Sequence, residues 1–342
     1  MNNEQFIWPT IRNLAARLGV SHTTVSLALR NHASIPPRTR KRVQAMARKL
    51  GYRSNLLVSA LLSQVRNGRL RNEGEVVTFL TALPANEWLA LPSVAAGLAQ
   101  AGKRAAQLGL RTEVFYMGPR GENSAQVARV LENRGYRALL LPPLPTNLLP
   151  LKIDWERFAV VALGYSFSRA DPHRVVNAHF NGIVTCYKKL RERGCRRIGL
   201  VLRRDDDDRA RHYWLSGFLG ASMVHGGDAL PPLLTDFEMD RDEFYRWFDH
   251  ACPDAIISMS RDVLLGWLAQ RGIAVPAQVR YACLDVLNGS ARPLAGIRQS
   301  WGEIFSTGIE FLAGQLSRNE IGLPAVPRVT LIDGVWTDGP TA

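Results

Sequence analysis

Short polar side chains crowd the segment Ser21-His22-Thr23-Thr24-Val25-Ser26, and a basic run, Arg38-Thr39-Arg40-Lys41-Arg42, follows it closely. Hydroxyls and an imidazole hydrogen-bond base edges in a groove, and Lys and Arg pair with phosphates. The charge distribution points the same way. Residues 1–71 hold 13 of the 43 Lys and Arg but one of the 30 acidic residues, Glu4, so nearly all of the net +13 lies in the first fifth of the chain. Each cation on a phosphate releases counterions, which favours a polyanion partner. A membrane partner is disfavoured, since no lipid-facing apolar helix accompanies the charge. The start, MNNEQFIWPTIRNLAAR, has no apolar signal region, and no apolar run approaches the roughly 20 residues of a membrane span. The expected location is the cytoplasm.

Other chemistries lack their residues. The body of the chain has no GxGxxG, P-loop, HExxH or GxSxG pattern. Phosphoryl transfer needs a phosphate loop with carboxylates for magnesium, and strand cleavage needs a positioned nucleophile. Cys186, Cys195, Cys252 and Cys283 show no ligand spacing and read as small buried hydrophobes. The run Asp205–Asp208, flanked by arginines, reads as a solvated loop without a metal cage. No enzyme activity, cofactor or metal is expected.

The polar cluster needs a scaffold. Ile11, Leu14, Ala15 and Leu18 share one helical face after a candidate cap at Thr10, and Gly19 ends that helix. Ser21 caps a second helix to about Arg30, which buries Val25, Ala28 and Leu29. The spacing Ala15-x3-Gly19-x5-Val25 supplies the small crossing residue, the turn glycine and the β-branched anchor of a helix-turn-helix. A third helix runs from Pro37 to about Leu50, with Val43, Met46, Ala47 and Leu50 inward and its basic first turns, including Arg38, free to clamp phosphates.

The run GVSHTTVSLALRN…PPRTRKRVQAMARKLGYRSN resembles the headpiece of the lactose repressor (LacI/GalR) family from Thr10 to about Leu62. The resemblance implies base reading by His22 and Thr23. It implies phosphate contacts at Ser21, Thr24, Ser26, Thr39 and Asn55. Leu27 falls where many members carry a polar or basic base-contacting residue, so a contact there is apolar, as to a thymine methyl. Ser54 stands where proline is usual. The apolar segment after Asn55 corresponds to a hinge helix that folds on operator DNA and wedges the minor groove, with Leu61 at the lever and Val58 beside it.

From Glu75 onward, apolar runs alternate with helical stretches. Strands are expected at Val76–Ala82, Thr112–Met117, Ala138–Leu141, Val160–Leu163, Arg197–Leu202, Ala255–Ser258 and Val279–Leu284. Helices fall between them, which means doubly wound parallel sheets in two lobes that bind ligands at strand C-terminal ends. This region resembles, more loosely, the family's periplasmic-binding-protein-like effector domain. The resemblance rests on Phe180-Asn181-Gly182, Asp262-Val-Leu-Leu-Gly266, Cys283-Leu-Asp285 and Leu294-Ala-Gly-Ile-Arg-Gln299. It implies sugar contacts at Asn181, Asp285, Gln299 and Trp301. Trp214 stands where the pocket arginine is usual, and Ser260-Arg261 replaces the family's "ND" pair. Trp88, Trp214 and Trp301 are candidate platforms for sugar C–H faces.

The expected fold is thus α/β, an all-α helix-turn-helix headpiece joined to a two-lobed, doubly wound, periplasmic-binding-protein-like domain. Its expected divisions are the headpiece at 1–55, the hinge helix and linker at 56–74, and the effector and dimerisation domain at 75–342. Within the last, one lobe comprises about 75–193 and 298–326, the other about 194–297 and 327–342. The function expected is a transcriptional regulator, most simply a repressor. It would bind double-stranded operator DNA as a homodimer under control of a saccharide or derivative.

Overall fold

A computed structural model describes residues 11–29, 34–50, 75–145, 147–168, 170–228, 230–236, 239–287 and 293–342. The chain divides into two compact units, Met1–Arg71 and Asn72–Ala342.

In the first unit, helices α1 (Ile11–Leu18), α2 (His22–Leu29) and α3 (Pro37–Lys49) enclose one small core. Leu14, Ala15, Val25, Ala28, Ile35, Val43 and Ala47 form its centre. Gly19 takes φ +65° between α1 and α2, a conformation costly for any residue with a Cβ. The turn is closed by the Val20 amide donating to the Ala15 carbonyl at 3.2 Å. The Gln44 side-chain amide donates to the Ala28 carbonyl at 3.3 Å, which fixes α3 on the end of α2.

The second unit contains two six-stranded sheets. The first comprises β1 (Val76–Thr81), β2 (Arg111–Tyr116), β3 (Ala138–Leu141), β4 (Ala159–Leu163), β5 (His173–Asn177) and β11 (Val329–Ile332). The second comprises β6 (Ile198–Arg203), β7 (Leu233–Thr235), β8 (Ala255–Ser258), β9 (Arg280–Cys283), β10 (Ala295–Arg298) and β12 (Val335–Thr337). Their orders, β11-β5-β4-β3-β1-β2 and β12-β10-β9-β8-β6-β7, repeat one winding pattern. All pairs are parallel except β10 with β12. Every residue of β1, β3 and β4 is buried, as strands covered on both faces by helices must be.

All seven expected strands are present, along with five that their sequences do not advertise. Among these, β5 carries His173, Arg174 and Asn177 within five residues, and β7 is only three residues long. Missing β5 displaced the expected lobe boundaries. Helix α7 (His179–Glu192) puts Ile183, Cys186, Tyr187 and Leu190 into the core of the second lobe, so the chain crosses over at Ala178 and not near residue 193. Strand β11 belongs to the first sheet, so the last crossing lies at Asp333-Gly334 and not at 327. The remaining crossing, Gln299-Ser300, leads from β10 to the long helix α12 (Trp301–Arg318). That helix packs closely on α5 (Pro92–Gln107), where a Cβ on Gly97 would lie 2.5 Å from the Phe305 ring.

Two smaller expectations also change. Residues Arg204–Arg209 form a short helix, α8, and Asp207 within it is buried, 1% exposed. Cys252 is exposed, whereas Cys186, Cys195 and Cys283 are buried.

Candidate functional sites

In the first unit, the start of α2 presents the residues expected to read bases. The Ser21 hydroxyl accepts from the Thr24 amide at 3.1 Å and lies 2.9 Å from the Thr24 hydroxyl. Ser21 is therefore the N-cap, satisfying one of the amides a helix leaves unpaired. His22 and Thr23, next along, are exposed and point away from the core. Arg38, Lys41 and Arg42 are exposed on α3, and Thr39 is half-buried.

Two residues of this surface differ from expectation. Ser26 is 3% exposed, beside Val25 on the covered flank of α2, which leaves its side chain almost no surface for a phosphate. Leu27 is half-buried against the helical core, which leaves only part of its side chain for a base. Asn55, Val58 and Leu61 lie outside the described residues.

In the second unit, a crevice opens where the chain crosses between lobes. Asn177, Ala178 and His179 line it from the first crossing, Gln299 from the second and Gly334 from the third, with Trp214, Leu284, Ile297 and Gly182 completing the wall. It encloses about 10 Å³, room for at most one water. The His179 ring stands edge-on to Trp214 with centroids 4.5 Å apart, and burial pushes its pKa down to about 4. The imidazole is therefore neutral near pH 7 and offers one donor and one acceptor. Asn177 Oδ1 is buried without a hydrogen-bond partner. The Gln299 amide donates to the Leu284 carbonyl at 3.1 Å, leaving its oxygen as an acceptor.

Next to Leu284, Asp285 is 7% exposed. The Arg261 guanidinium grips it twice, Nη2 donating to Oδ2 at 2.7 Å and Nε donating to the Asp285 carbonyl at 2.9 Å. Parallel pairing of Ser258 with Cys283 brings these two loops out side by side. Burial raises the carboxyl pKa to about 6, against the lowering pull of Arg261 and of the nearby Trp301 indole. Ser260 Oγ is buried without a partner. Arg261, at the position where the family pattern is broken, is thus the counter-ion of the expected sugar-binding acid.

Of the expected effector contacts, Trp214 and Gln299 line the crevice. Asp285 follows directly on the lining residue Leu284, and Trp301 stands two residues after the lining residue Gln299. Two do not belong there. Trp88 sits in the helix α4 (Ala85–Ala90) and is 2% exposed, tilted against Phe79 in the first lobe's core. Asn181 is exposed and donates from Nδ2 to Asp333 Oδ1 at 2.9 Å, which ties the first crossing to the third. Asn177 and His179 were missed, because a lone Asn and His carry no sequence signal. Among the described residues no cluster of side chains fits a metal ion, and no helix is long and apolar enough to cross a membrane.

Comparison with known proteins yields two family matches, bacterial regulatory proteins of the lacI family over residues 10–55 and a periplasmic binding protein-like domain over residues 187–334. No curated protein matches the chain. Solved structures share its fold. A transcriptional regulator CelR–cellobiose complex is 18% identical, covers 98% of this chain and 100% of its own, and has a TM-score of 0.62. The Lac repressor dimer bound to operator and the anti-inducer ONPF is 20% identical, with coverage of 98% and 99% and a TM-score of 0.61. The transcription regulator CcpA of Lactococcus lactis is 12% identical, with coverage of 78% and 99% and a TM-score of 0.60. With residues 10–55 matching the family's DNA-binding segment and residues 187–334 a periplasmic binding protein-like domain, the chain belongs to the lacI family of bacterial regulatory proteins.

Proposed function

We propose that this regulator is a cytoplasmic repressor that binds operator DNA as a homodimer and releases or grips it according to a saccharide held in the crevice. The observation that carries this reading is the position of the crevice on all three crossings, so that a bound molecule touches both lobes at their hinge. A ligand that bonds one lobe arrangement better than another shifts the balance between them by that difference. The unpartnered acceptor Asn177 Oδ1 calls for a molecule with donors, and Trp214 supplies an apolar face. A sugar answers both demands. The Lac repressor structure, bound to operator as a dimer, and the CelR–cellobiose complex support the same partners here.

In the headpiece, His22, Thr23 and the exposed part of Leu27 face the bases. Arg38, Thr39 and the backbone around the Ser21 cap face phosphates. Asn55 would add a phosphate contact, and Val58 with Leu61 the minor-groove wedge. The test is thermal-shift screening of the full chain against a saccharide panel, followed by DNA binding with any hit. A stabilising sugar that alters DNA affinity, and loses its effect in Trp214→Ala and Gln299→Ala, is expected. A panel without hits, or a hit indifferent to both substitutions, refutes the assignment.

A further inference from the structure

The crevice holds at most one water, so a sugar would enter it only with the lobes parted. One group of side chains joins the two lobes beside the lining residues His179 and Trp214. Tyr165, in the loop after β4 of the first lobe, lies with its ring 5.5 Å from Tyr213 and 6.5 Å from His179, both of the second lobe. The Arg211 guanidinium sits 4.9 Å over the same ring. Arg211 is exposed, forms no ion pair among the described residues, and lays its guanidinium on the tyrosine face. Burial, and then Tyr213, raise the Tyr165 hydroxyl to about 12, so the ring stays neutral and its face available to the cation.

The backbone that delivers Arg211 is strained. Arg211 and His212 both occupy the left-handed region, at φ 53° and 58°, where residues with a Cβ persist only if their surroundings hold them. Asp207 does the holding. Its carbonyl accepts from the His212 amide at 2.8 Å, and its buried carboxylate takes the His212 ring at 2.9 Å and the Leu215 amide at 3.2 Å. The acidic run thus braces the first turn of α9 (Tyr213–His225), the helix carrying Tyr213 and Trp214.

We propose that Tyr165, Arg211 and Tyr213 form a latch holding the two lobes together over the crevice, and that Asp207 is its positioning residue, fixing the strained Arg211-His212 turn. The latch rests on the effector reading only for its consequence, a barrier to ligand entry and exit.

Hydrogen–deuterium exchange of the full chain tests it without ligand. The reporter is the Gly164–Ser168 loop, in the opposite lobe from Asp207. Arg211→Ala and Asp207→Ala are each expected to speed exchange there about tenfold, the scale of losing one cation–π contact. Adding His212→Gly to Asp207→Ala is expected to restore protection, because glycine adopts the left-handed turn without a brace. Unchanged exchange in Arg211→Ala overturns the latch. Faster exchange in Asp207→Ala that glycine does not reverse overturns the positioning role, leaving Asp207 as an ordinary support of its lobe. A failed saccharide screen bears on neither result.

Discussion

Asp285 offers a measurement in which burial and ion pairing pull in opposite directions. Its carboxyl titrates at about 6 in the folded chain against an ordinary 3.8, because lost hydration outweighs the Arg261 ion pair. With the folded value raised, stability contributed by the neutral acid is present in full below the unfolded value and is lost as pH rises through about 6. At 1.36 kcal/mol per unit, the loss is on the order of 3 kcal/mol. Asp285→Asn removes the titration and keeps the shape. The stability of the variant minus that of the parent is therefore expected to grow by up to about 3 kcal/mol between about pH 4 and about pH 8. Urea unfolding followed by tryptophan fluorescence reads this directly, since every tryptophan but Trp8 lies in the second unit. Titrations common to both proteins cancel in the difference. A difference that is flat across this range, or that shrinks with pH, refutes the claim that burial dominates and assigns control to Arg261.

Affinity for DNA is expected to fall steeply with salt. Lys41→Ala and Arg42→Ala should each reduce the log–log slope by about 1, and a chain lacking residues 1–71 should not bind DNA; a slope untouched by either substitution removes α3 from the phosphate interface. Ser21→Ala should destabilise the first unit by about 1 kcal/mol through loss of the cap, seen in its own melting transition, whereas an unchanged melt denies the capping role. Leu61→Ala should reduce operator bending and affinity more than binding to non-specific DNA, and equal losses on both would count against the wedge. Asn181→Asp separates hinge tie from sugar contact. Placing a second carboxylate 2.9 Å from Asp333 should destabilise the second unit by about 1 kcal/mol at neutral pH and relax toward acid, while a gain in sugar affinity would restore the role the resemblance implies.

What could be read from the sequence was what local rules specify. Ala15, Gly19 and Val25 fix a helix-turn-helix within eleven positions, and the structure returns α1, α2 and the glycine turn. The central strands were visible because both faces are covered, making Val76–Thr81 and Ala138–Leu141 continuous apolar runs. Strand β5 hid because Arg174 is buried on it, its guanidinium donating to the Gly164 and Ala170 carbonyls, a pairing no pattern announces. Ser26 lies buried where the polar run read as one outward face, because a helix turns position 26 toward the flank buried with Val25. Trp88 shows the same limit: an indole in a short segment after β1 gives no sign of whether it faces a cleft or Phe79.

The effector site was the harder half for a single reason. Its residues are contributed by three crossings between lobes, and the contacts that define it span large separations in sequence. Arg261 meets Asp285 only because β8 and β9 are paired in register, and Asn181 meets Asp333 only because the first and third crossings run together. On the proposed reading the same arrangement would couple the site to regulation. The Ala178 amide donates to the Ile332 carbonyl at 2.9 Å and the Ser300 hydroxyl to the Asp333 carbonyl at 3.0 Å, so the three crossings are bonded into one joint. Asn177, His179, Gln299 and Gly334 are both the lining of the crevice and parts of that joint. On the proposed reading a molecule seated against them would act on the hinge itself, and the Tyr165–Arg211 contact, beside His179, would form the mouth of the cleft. Substitutions at the joint should therefore change which lobe arrangement the protein favours even where they leave ligand contacts intact, and substitutions at the mouth should change how fast the cleft opens.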